Sequence, residues 1–260
     1  MTDPVAVASD QGCVWVTGAS SGLGRAMALR FAREGRRVIA SARRADALEA
    51  LAAEAAGFSG SVEAKPLDVT DLDAVRAAVD AMAVQSGPID LAILNAGTHQ
   101  PIGATDFSAA DVRGLIELNV MGTANCLEAL LPAMIARRSG HIAIVASLAG
   151  YVGLPTAAGY GASKAGLINM AESLKPELDG LGVKLQLVCP GFVKTPLTDK
   201  NPFSMPFLMP LDDAAEAFYR GLRSDRFEIV FPRRFAYLMK LLRILPYPLL
   251  FAATRRVVPK

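Results

Sequence analysis

The chain has 260 residues, of which 52% are hydrophobic and 20% are charged, and its formal net charge is +2. This length is enough to bury a sizeable core, and the hydrophobic content excludes an intrinsically disordered chain. The balanced charge gives no case for a nucleic-acid partner. Three cysteines and two histidines lie far apart without metal-ligand spacing, so we expect no metal ion and reduced thiols.

Residues 1–12 lack the basic start and the continuous apolar stretch of a signal peptide. No segment shows the uninterrupted run of apolar residues that a transmembrane helix requires. We therefore expect a cytoplasmic protein in which the first residues form a short lead-in.

Short β-branched segments alternate with longer segments of helical periodicity. The predicted strands are 13–17, 37–41, 62–66, 90–95, 141–147, 184–189 and 228–231, and the predicted helices are 23–34, 45–56, 72–85, 110–136 and 158–178. Alternation of this kind predicts right-handed βαβ units, and largely apolar strands predict a parallel sheet covered on both faces. We expect a doubly wound α/β fold, a seven-stranded parallel sheet of Rossmann type. It forms a single domain over residues 1–260, with its core at about 12–231 and a C-terminal extension at 232–260.

A glycine-rich turn, TGASSGLG at residues 17–24, joins the first strand to the first helix. Its spacing is GxxxGxG rather than GxGxxG. Glycines in this context allow a tight turn, a close backbone approach to a pyrophosphate and close packing of helix on strand. The free N–H groups of the helix N-terminus favour phosphate. The turn predicts dinucleotide binding, with contacts from Gly18, Ser20, Ser21, Gly22, Leu23 and Gly24.

The second strand ends in Ser41-Ala42-Arg43-Arg44, without an acidic residue. An acid at this point would bind the adenosine ribose hydroxyl of NAD, whereas arginine suits a 2′-phosphate. The sequence therefore favours NADP(H) over NAD(H), mainly through Arg43, with Arg44 or Ser41 assisting. The alternative is a solvated basic pair without a role in cofactor choice.

Tyr160 and Lys164 lie four residues apart, so a helix places them on one face, one turn apart. A cation beside a phenol favours the phenolate and lowers the phenol pKa. A hydroxyl from Ser147, thirteen residues upstream of Tyr160, could hold a substrate oxygen in line for proton exchange. Taken alone, the spacing also fits an ordinary helix.

Together these motifs resemble the short-chain dehydrogenase/reductase family in its non-extended form, over nearly the whole chain. The family's catalytic positions correspond to Asn119, Ser147, Tyr160 and Lys164. Its remaining cofactor contacts correspond to Asp68 and Val69 at the adenine, Asn95-Ala96-Gly97 beside the cofactor, and Pro190, Gly191, Val193 and Thr195 at the nicotinamide, together with Tyr160 and Lys164. One departure is Leu94, where an asparagine is often found.

The resemblance implies that Tyr160 is the general acid in carbonyl reduction and that Lys164 lowers its pKa and holds the nicotinamide ribose. It implies that Ser147 polarises the substrate oxygen and that Asn119 holds a water of a proton relay. It also implies a homodimer or homotetramer. A catalytically silent cofactor-binding sensor or scaffold of the same fold is the alternative function, and the family also includes isomerases and dehydratases.

Apolar residues follow the catalytic motifs, at 148–154 and at Phe192. Residues 202–210 are apolar and rich in proline, which predicts a loop that either closes over the substrate or fills the core beneath it. We therefore expect an apolar ketone, aldehyde or alcohol as the small-molecule substrate.

The chain has no acidic residue after Glu228, and residues 235–245 predict a basic amphipathic helix. The extension therefore suits peripheral contact with a membrane surface. The alternatives left open are packing on the protein's own fold, capping of the substrate pocket and a subunit interface.

Overall fold

Seven parallel strands form one sheet in the order β3-β2-β1-β4-β5-β6-β7. The computed structural model describes residues 12–200 and 205–257. The strands are β1 Cys13–Thr17, β2 Arg37–Ala42, β3 Ser61–Pro66, β4 Ile89–Leu94, β5 His141–Val145, β6 Lys184–Pro190 and β7 Glu228–Phe231. The helices are α1 Gly22–Arg33, α2 Ala45–Glu54, α3 Leu72–Ser86, α4 Ala109–Ile116, α5 Gly122–Ala136, α6 Ala158–Gly180, α7 Leu211–Leu222, α8 Arg233–Arg243 and α9 Tyr247–Thr254.

The strand order reverses between β1 and β4, which both lie at the centre of the sheet. Val14 of β1 pairs with Val38 of β2 on one side and with Leu91 of β4 on the other. In a sheet of this kind, ligands bind where the order reverses, outside the carboxyl ends of the strands. The predicted doubly wound fold is confirmed, and it brings the ends of β1 and β4 together.

Both faces of the sheet are covered by helices, and alternate residues of β1 enter different cores. Trp15 packs with side chains from α3, α5 and α6, whereas Val14 and Val16 pack with side chains from α1, α2 and α7. All five residues of β1 are buried. This explains why β1 is apolar throughout rather than alternating.

The predicted helix 110–136 is divided in the structure. A π-helical turn, Glu117–Met121, lies between α4 and α5 and contains Asn119. Turns of this kind insert an extra residue and often occur at functional sites. The whole stretch Ala109–Ala136 is long and apolar enough to cross a membrane by length and composition alone. Its Leu127 and Leu130 are buried in the core, as in a core helix of a folded domain.

Strand ends differ from the prediction at two functional positions. β5 ends at Val145 rather than residue 147, and β4 ends at Leu94 rather than residue 95. Ser147 instead starts a short 3₁₀ turn, where its Oγ accepts a hydrogen bond from the Ala149 amide at 3.1 Å. The polar side chains of Asn95 and Ser147 therefore lie just beyond the sheet, where a ligand can reach them. Helices α7 and α9 were not predicted.

Candidate active site

The glycine-rich turn has a backbone that other residues would not adopt. Gly18 has φ of +67°, and a Cβ there would lie 2.8 Å from the Ala96 Cα. A Cβ on Gly24 would lie 2.4 Å from the Gly18 carbonyl oxygen. The turn therefore brings the start of α1 close to the ends of β1 and β4, as a phosphate-binding turn requires.

Thr17 and Asn95 hold this turn against the end of β4. The Asn95 Nδ2 donates to the carbonyl oxygens of Thr17, at 3.1 Å, and Gly18, at 3.2 Å. The Thr17 Oγ1 accepts from the amides of Asn95, at 3.0 Å, and Ala96, at 3.1 Å. Asn95 therefore positions the turn, and Thr17 is a positioning residue that we did not single out from the sequence.

A cavity of about 160 Å³ lies at the carboxyl end of β2, where the cofactor choice was predicted to be made. Residues predicted to bind cofactor line it: Gly18, Ser20, Arg43, Arg44, Asp68, Val69, Ala96 and Gly97. The Arg44 Nη2 donates to the Ser20 Oγ at 3.1 Å, which places the guanidinium over the glycine-rich turn. Both arginines are thus available to an anionic group in this cavity.

Ser41 does not assist them. Its side chain is fully buried, and its Oγ accepts a hydrogen bond from the Trp15 Nε1 at 3.0 Å. This part of the prediction is wrong because the Ser41 side chain points from β2 into the core rather than toward the cavity.

Asp68 presents an ionised carboxylate to the same cavity. Its Oδ1 accepts from the Thr70 amide at 3.0 Å and from the Thr70 hydroxyl at 2.8 Å. The hydrogen bond from the Thr70 amide is the main reason that the pKa of Asp68 lies below its usual range, and Arg43 contributes to the same shift. The carboxylate can therefore accept a hydrogen bond from an adenine amino group.

The predicted catalytic side chains converge between β5 and α6. Lys164 donates from its Nζ to the Val145 carbonyl oxygen at 2.9 Å, and this nitrogen lies 5.8 Å from the centroid of the Tyr160 ring. Tyr160 and Ser147 line the same cavity, and the Ser147 hydroxyl is near enough to the phenol to influence its pKa. A carbonyl oxygen placed between these two hydroxyls would meet two donors.

The pKa of Tyr160 is raised, not lowered as the sequence predicted. Burial disfavours the phenolate and outweighs the influence of the neighbouring Ser147 hydroxyl, which acts in the opposite direction. Burial also lowers the pKa of Lys164 to about 8. The Lys164 Nζ is directed at the Val145 carbonyl oxygen. Because the pKa of Tyr160 is raised, its phenol is protonated at neutral pH.

The Asn119 side chain forms hydrogen bonds with the Thr98 backbone and with Ser163. Its Oδ1 accepts from the Thr98 amide at 2.8 Å, and its Nδ2 donates to the Thr98 carbonyl at 3.0 Å and to the Ser163 Oγ at 2.9 Å. These bonds join the segment after β4 to α6, so the side chain has a positioning role. Its predicted part in a water relay stays a prediction.

A second cavity of about 500 Å³ joins the glycine-rich turn to the catalytic group. Its lining includes Gly18, Ser21, Gly22, Leu23, Arg44, Asn95, Gly97, Ser147, Tyr160, Lys164, Pro190, Gly191, Val193 and Thr195. Of the predicted site residues, Gly24 and Asn119 line neither cavity. One continuous space thus runs from the predicted phosphate site to the Tyr160 hydroxyl, which fits a dinucleotide with its reactive end at Tyr160.

The sequence model of the short chain dehydrogenase family matches residues 12–203. The chain belongs to this family. An uncharacterized oxidoreductase of Myxococcus xanthus is 45% identical over 93% of this chain and 96% of its own length. The 3-oxoacyl-[acyl-carrier-protein] reductase of Thermotoga maritima is 37% identical over 72% of this chain and 76% of its own length. A solved short-chain dehydrogenase from Sphingobium yanoikuyae in complex with NADPH has a TM-score of 0.78 and 28% identity, over 90% of this chain and 96% of that one.

The protein is therefore a short-chain dehydrogenase, an oxidoreductase whose family binds NAD(H) or NADP(H) and acts on alcohol or carbonyl groups. Such a cofactor supplies or accepts the hydride, and the protein supplies binding, orientation and proton transfer. The residues that would hold it are those of the two cavities described above.

The apolar wall of this short-chain dehydrogenase includes residues that we did not predict. Phe235 and Met239 of α8 line the larger cavity, beside Leu148, Leu154, Phe192 and Leu197. His99 lies after the NAG motif and also lines it. Periodicity placed Phe235 and Met239 on an apolar helix face but could not say what the face would cover.

Two predicted substrate contacts lie elsewhere. Tyr151 is buried and its hydroxyl donates to Glu228, which also accepts from Lys240 of α8. Among residues 205–210 of the predicted loop, none lines the cavity, although Phe207 stacks on Phe235 with 5.8 Å between ring centroids. Residues 202–204 of that loop lie outside the described residues.

Proposed function

We propose that this short-chain dehydrogenase uses NADP(H) to interconvert an apolar ketone or aldehyde and its alcohol, with Tyr160 as the general acid and base. The observation that carries the proposal is the shared cavity, in which the glycine-rich turn, the Ser147–Tyr160 pair and an apolar wall meet. A site of this composition orients an apolar substrate by its single oxygen.

The proton transfer follows from the two hydroxyls. Ser147 would donate a hydrogen bond to the carbonyl oxygen, and Tyr160 would transfer its proton to that oxygen as hydride reaches the carbonyl carbon. Lys164 lies one turn away, and its charge would stabilise the phenolate left behind. A protonated buried phenol suits the reduction direction, because the proton donor is already in its reactive form.

The preference for NADP(H) rests on Arg43 and Arg44. Both line the cavity at the end of β2, and no acidic residue follows that strand before α2. An arginine pair favours a phosphate over a hydroxyl because its donors match phosphate oxygens. The Sphingobium structure in complex with NADPH supports the same preference by similarity.

The substrate class rests on the wall of the larger cavity. Phe192, Phe235 and Met239 are apolar, and methionine adapts to irregular ligands. The similarity to a 3-oxoacyl reductase supports a β-keto acyl chain as one member of this class.

The proposal is tested by oxidation of NADPH with a panel of apolar ketones, aldehydes and 3-oxoacyl thioesters, with NADH in parallel. We expect turnover of at least one apolar carbonyl with NADPH and slower turnover with NADH. Binding of NADPH without turnover of any panel member would instead support a silent cofactor-binding sensor.

A further inference from the structure

Helix α8 carries two apolar stripes that face different surroundings. Phe235, Ala236 and Met239 are buried, and two of them line the larger cavity. The other stripe, at Tyr237, Leu238 and Leu241, is exposed, and it continues into Ile244 just after the helix, which is 76% exposed. Packing within the protein therefore explains why the first stripe is apolar, but it does not explain why the exposed stripe is apolar.

The exposed stripe continues along the chain into α9. Tyr247 is 73% exposed, and Leu249 and Phe251 are each more than half exposed. The rings of Tyr247 and Phe251 stack with 5.5 Å between centroids, so they present one aromatic surface. We call these seven side chains the outer face: Tyr237, Leu238, Leu241, Ile244, Tyr247, Leu249 and Phe251. Several large apolar side chains exposed within fifteen residues indicate an interaction surface rather than chance exposure.

The charges of the same segment have one sign. Five exposed arginines flank the outer face: Arg233, Arg234, Arg243, Arg255 and Arg256. None of them forms an ion pair with a residue that the structure describes, and the sequence holds no acidic residue after Glu228. The one basic side chain of α8 that is paired, Lys240, contacts Glu228 of β7 and so ties α8 to the sheet.

We propose that the outer face of α8 and α9 docks on an anionic lipid bilayer, with its apolar side chains in the interface and its arginines at the headgroups. Apolar and aromatic side chains beside arginines are the composition of helices that lie in a membrane interface. Clustered basic residues are attracted to anionic lipid, and each contributes separately to binding.

Charge favours the bilayer over a second copy of the chain. A two-fold interface brings the same surface of two copies together. Here it would place five arginines near five arginines, without an acidic residue in either segment to pair with them. An anionic bilayer neutralises the same charges. The proposal does not depend on the proposed function. With the outer face on the bilayer, α8 would lie between the bilayer and the larger cavity.

The test is cosedimentation of the full-length protein with vesicles of phosphatidylcholine alone and of phosphatidylcholine with phosphatidylglycerol in about equal amounts. One variant carries Ile244→Ser, Tyr247→Ser and Phe251→Ser, and its control carries Val84→Ser and Phe107→Ser, which replace apolar residues exposed elsewhere. A second variant carries Arg243→Gln, Arg255→Gln and Arg256→Gln, and its control carries Arg37→Gln, Arg113→Gln and Arg226→Gln.

We expect binding to the anionic vesicles that weakens as salt is raised, because salt screens the arginines. Each outer-face variant should lose at least about tenfold in affinity, while both controls bind like the wild type. Light scattering and thermal melting of every variant report its oligomeric state and folding. The proposal is overturned if the wild type does not bind the anionic vesicles, or if the control variants weaken as much as the outer-face variants. It is also overturned if the wild type is an oligomer that does not bind vesicles and the variant with Ile244→Ser, Tyr247→Ser and Phe251→Ser dissociates that oligomer.

Discussion

The imidazole ring of His99 lies edge-on against the phenol ring of Tyr160, with 4.7 Å between the ring centroids. The contact fixes one side of a phenol whose hydroxyl must stay aligned with Ser147. We expect His99→Ala to lower kcat about tenfold, because small displacements of a catalytic group are costly. His99→Phe keeps a ring at this position and should restore most of the activity.

Steady-state kinetics with a fixed carbonyl substrate checks this, with NADPH affinity measured separately. Equal losses in the alanine and phenylalanine variants would mean that the imidazole does more than pack. Full activity in the alanine variant would exclude a positioning role.

Arg43→Asp should reverse the preference for NADPH over NADH. The change removes a guanidinium from the cavity at the end of β2 and adds a carboxylate that repels a phosphate and accepts from a ribose hydroxyl. We expect the ratio of kcat/KM for the two cofactors to change by about a hundredfold or more. Arg113→Asp, an exposed arginine of α4, is the charge-matched control. An unchanged ratio in the Arg43 variant would refute its role.

Phe235→Ala should raise KM for bulky apolar substrates by about tenfold and leave the affinity for NADPH unchanged. The ring is buried, lines the larger cavity and stacks on Phe192 with 5.5 Å between centroids. Its removal takes contact surface from the apolar wall that we assign to the substrate. Tyr237→Ala on the same helix is the control, because Tyr237 is 70% exposed. An unchanged KM in a folded Phe235 variant would contradict the assignment of this wall to the substrate.

His141 should make the protein less stable as the pH falls. Burial lowers the pKa of His141 to about 4 from an ordinary value of 6.5, and its Nε2 is bonded to the Gln186 Oε1 at 2.7 Å. Between these two values the unfolded chain binds a proton that the folded chain does not, so the free energy of unfolding decreases from pH 6.5 to pH 4. The contribution is at most about 3–4 kcal/mol.

Urea unfolding at several pH values checks this in the wild type and in His141→Gln, which keeps a donor for Gln186 but does not titrate. The decrease should be smaller in the variant, and the difference in stability between the two proteins should no longer change with pH above pH 7. Parallel curves for the two proteins would show that His141 does not carry the effect.

Most of the strands, and most of the residues that line the two cavities at the strand ends, could be predicted from the sequence because local signals coincide there. The turn at residues 17–24 needs glycine at Gly18 and Gly24 for geometric reasons, and the structure shows both close approaches. Strands β1, β4, β5 and β6 are almost wholly buried, so their apolar runs could be recognised without knowledge of their partners.

What could not be predicted depends on contacts distant in sequence. The orientation of the Ser41 hydroxyl depends on Trp15, and the position of Tyr151 depends on Glu228. The raised pKa of Tyr160 depends on how completely the site is buried. Asn119, in the turn where the helix is divided, forms hydrogen bonds with Thr98 and Ser163, which lie outside this helix. Helix periodicity carries none of this information.

We propose that the Tyr160 hydroxyl transfers the proton while the cavity around it binds the cofactor. The most direct measurement compares Tyr160→Phe with the wild type for NADPH affinity, by fluorescence titration, and for kcat with the best carbonyl of the panel. Removing one hydroxyl leaves the ring against His99, so we expect NADPH to bind within about threefold of the wild type while kcat falls by at least about a thousandfold. Turnover by Tyr160→Phe at a rate close to that of the wild type would contradict the claim.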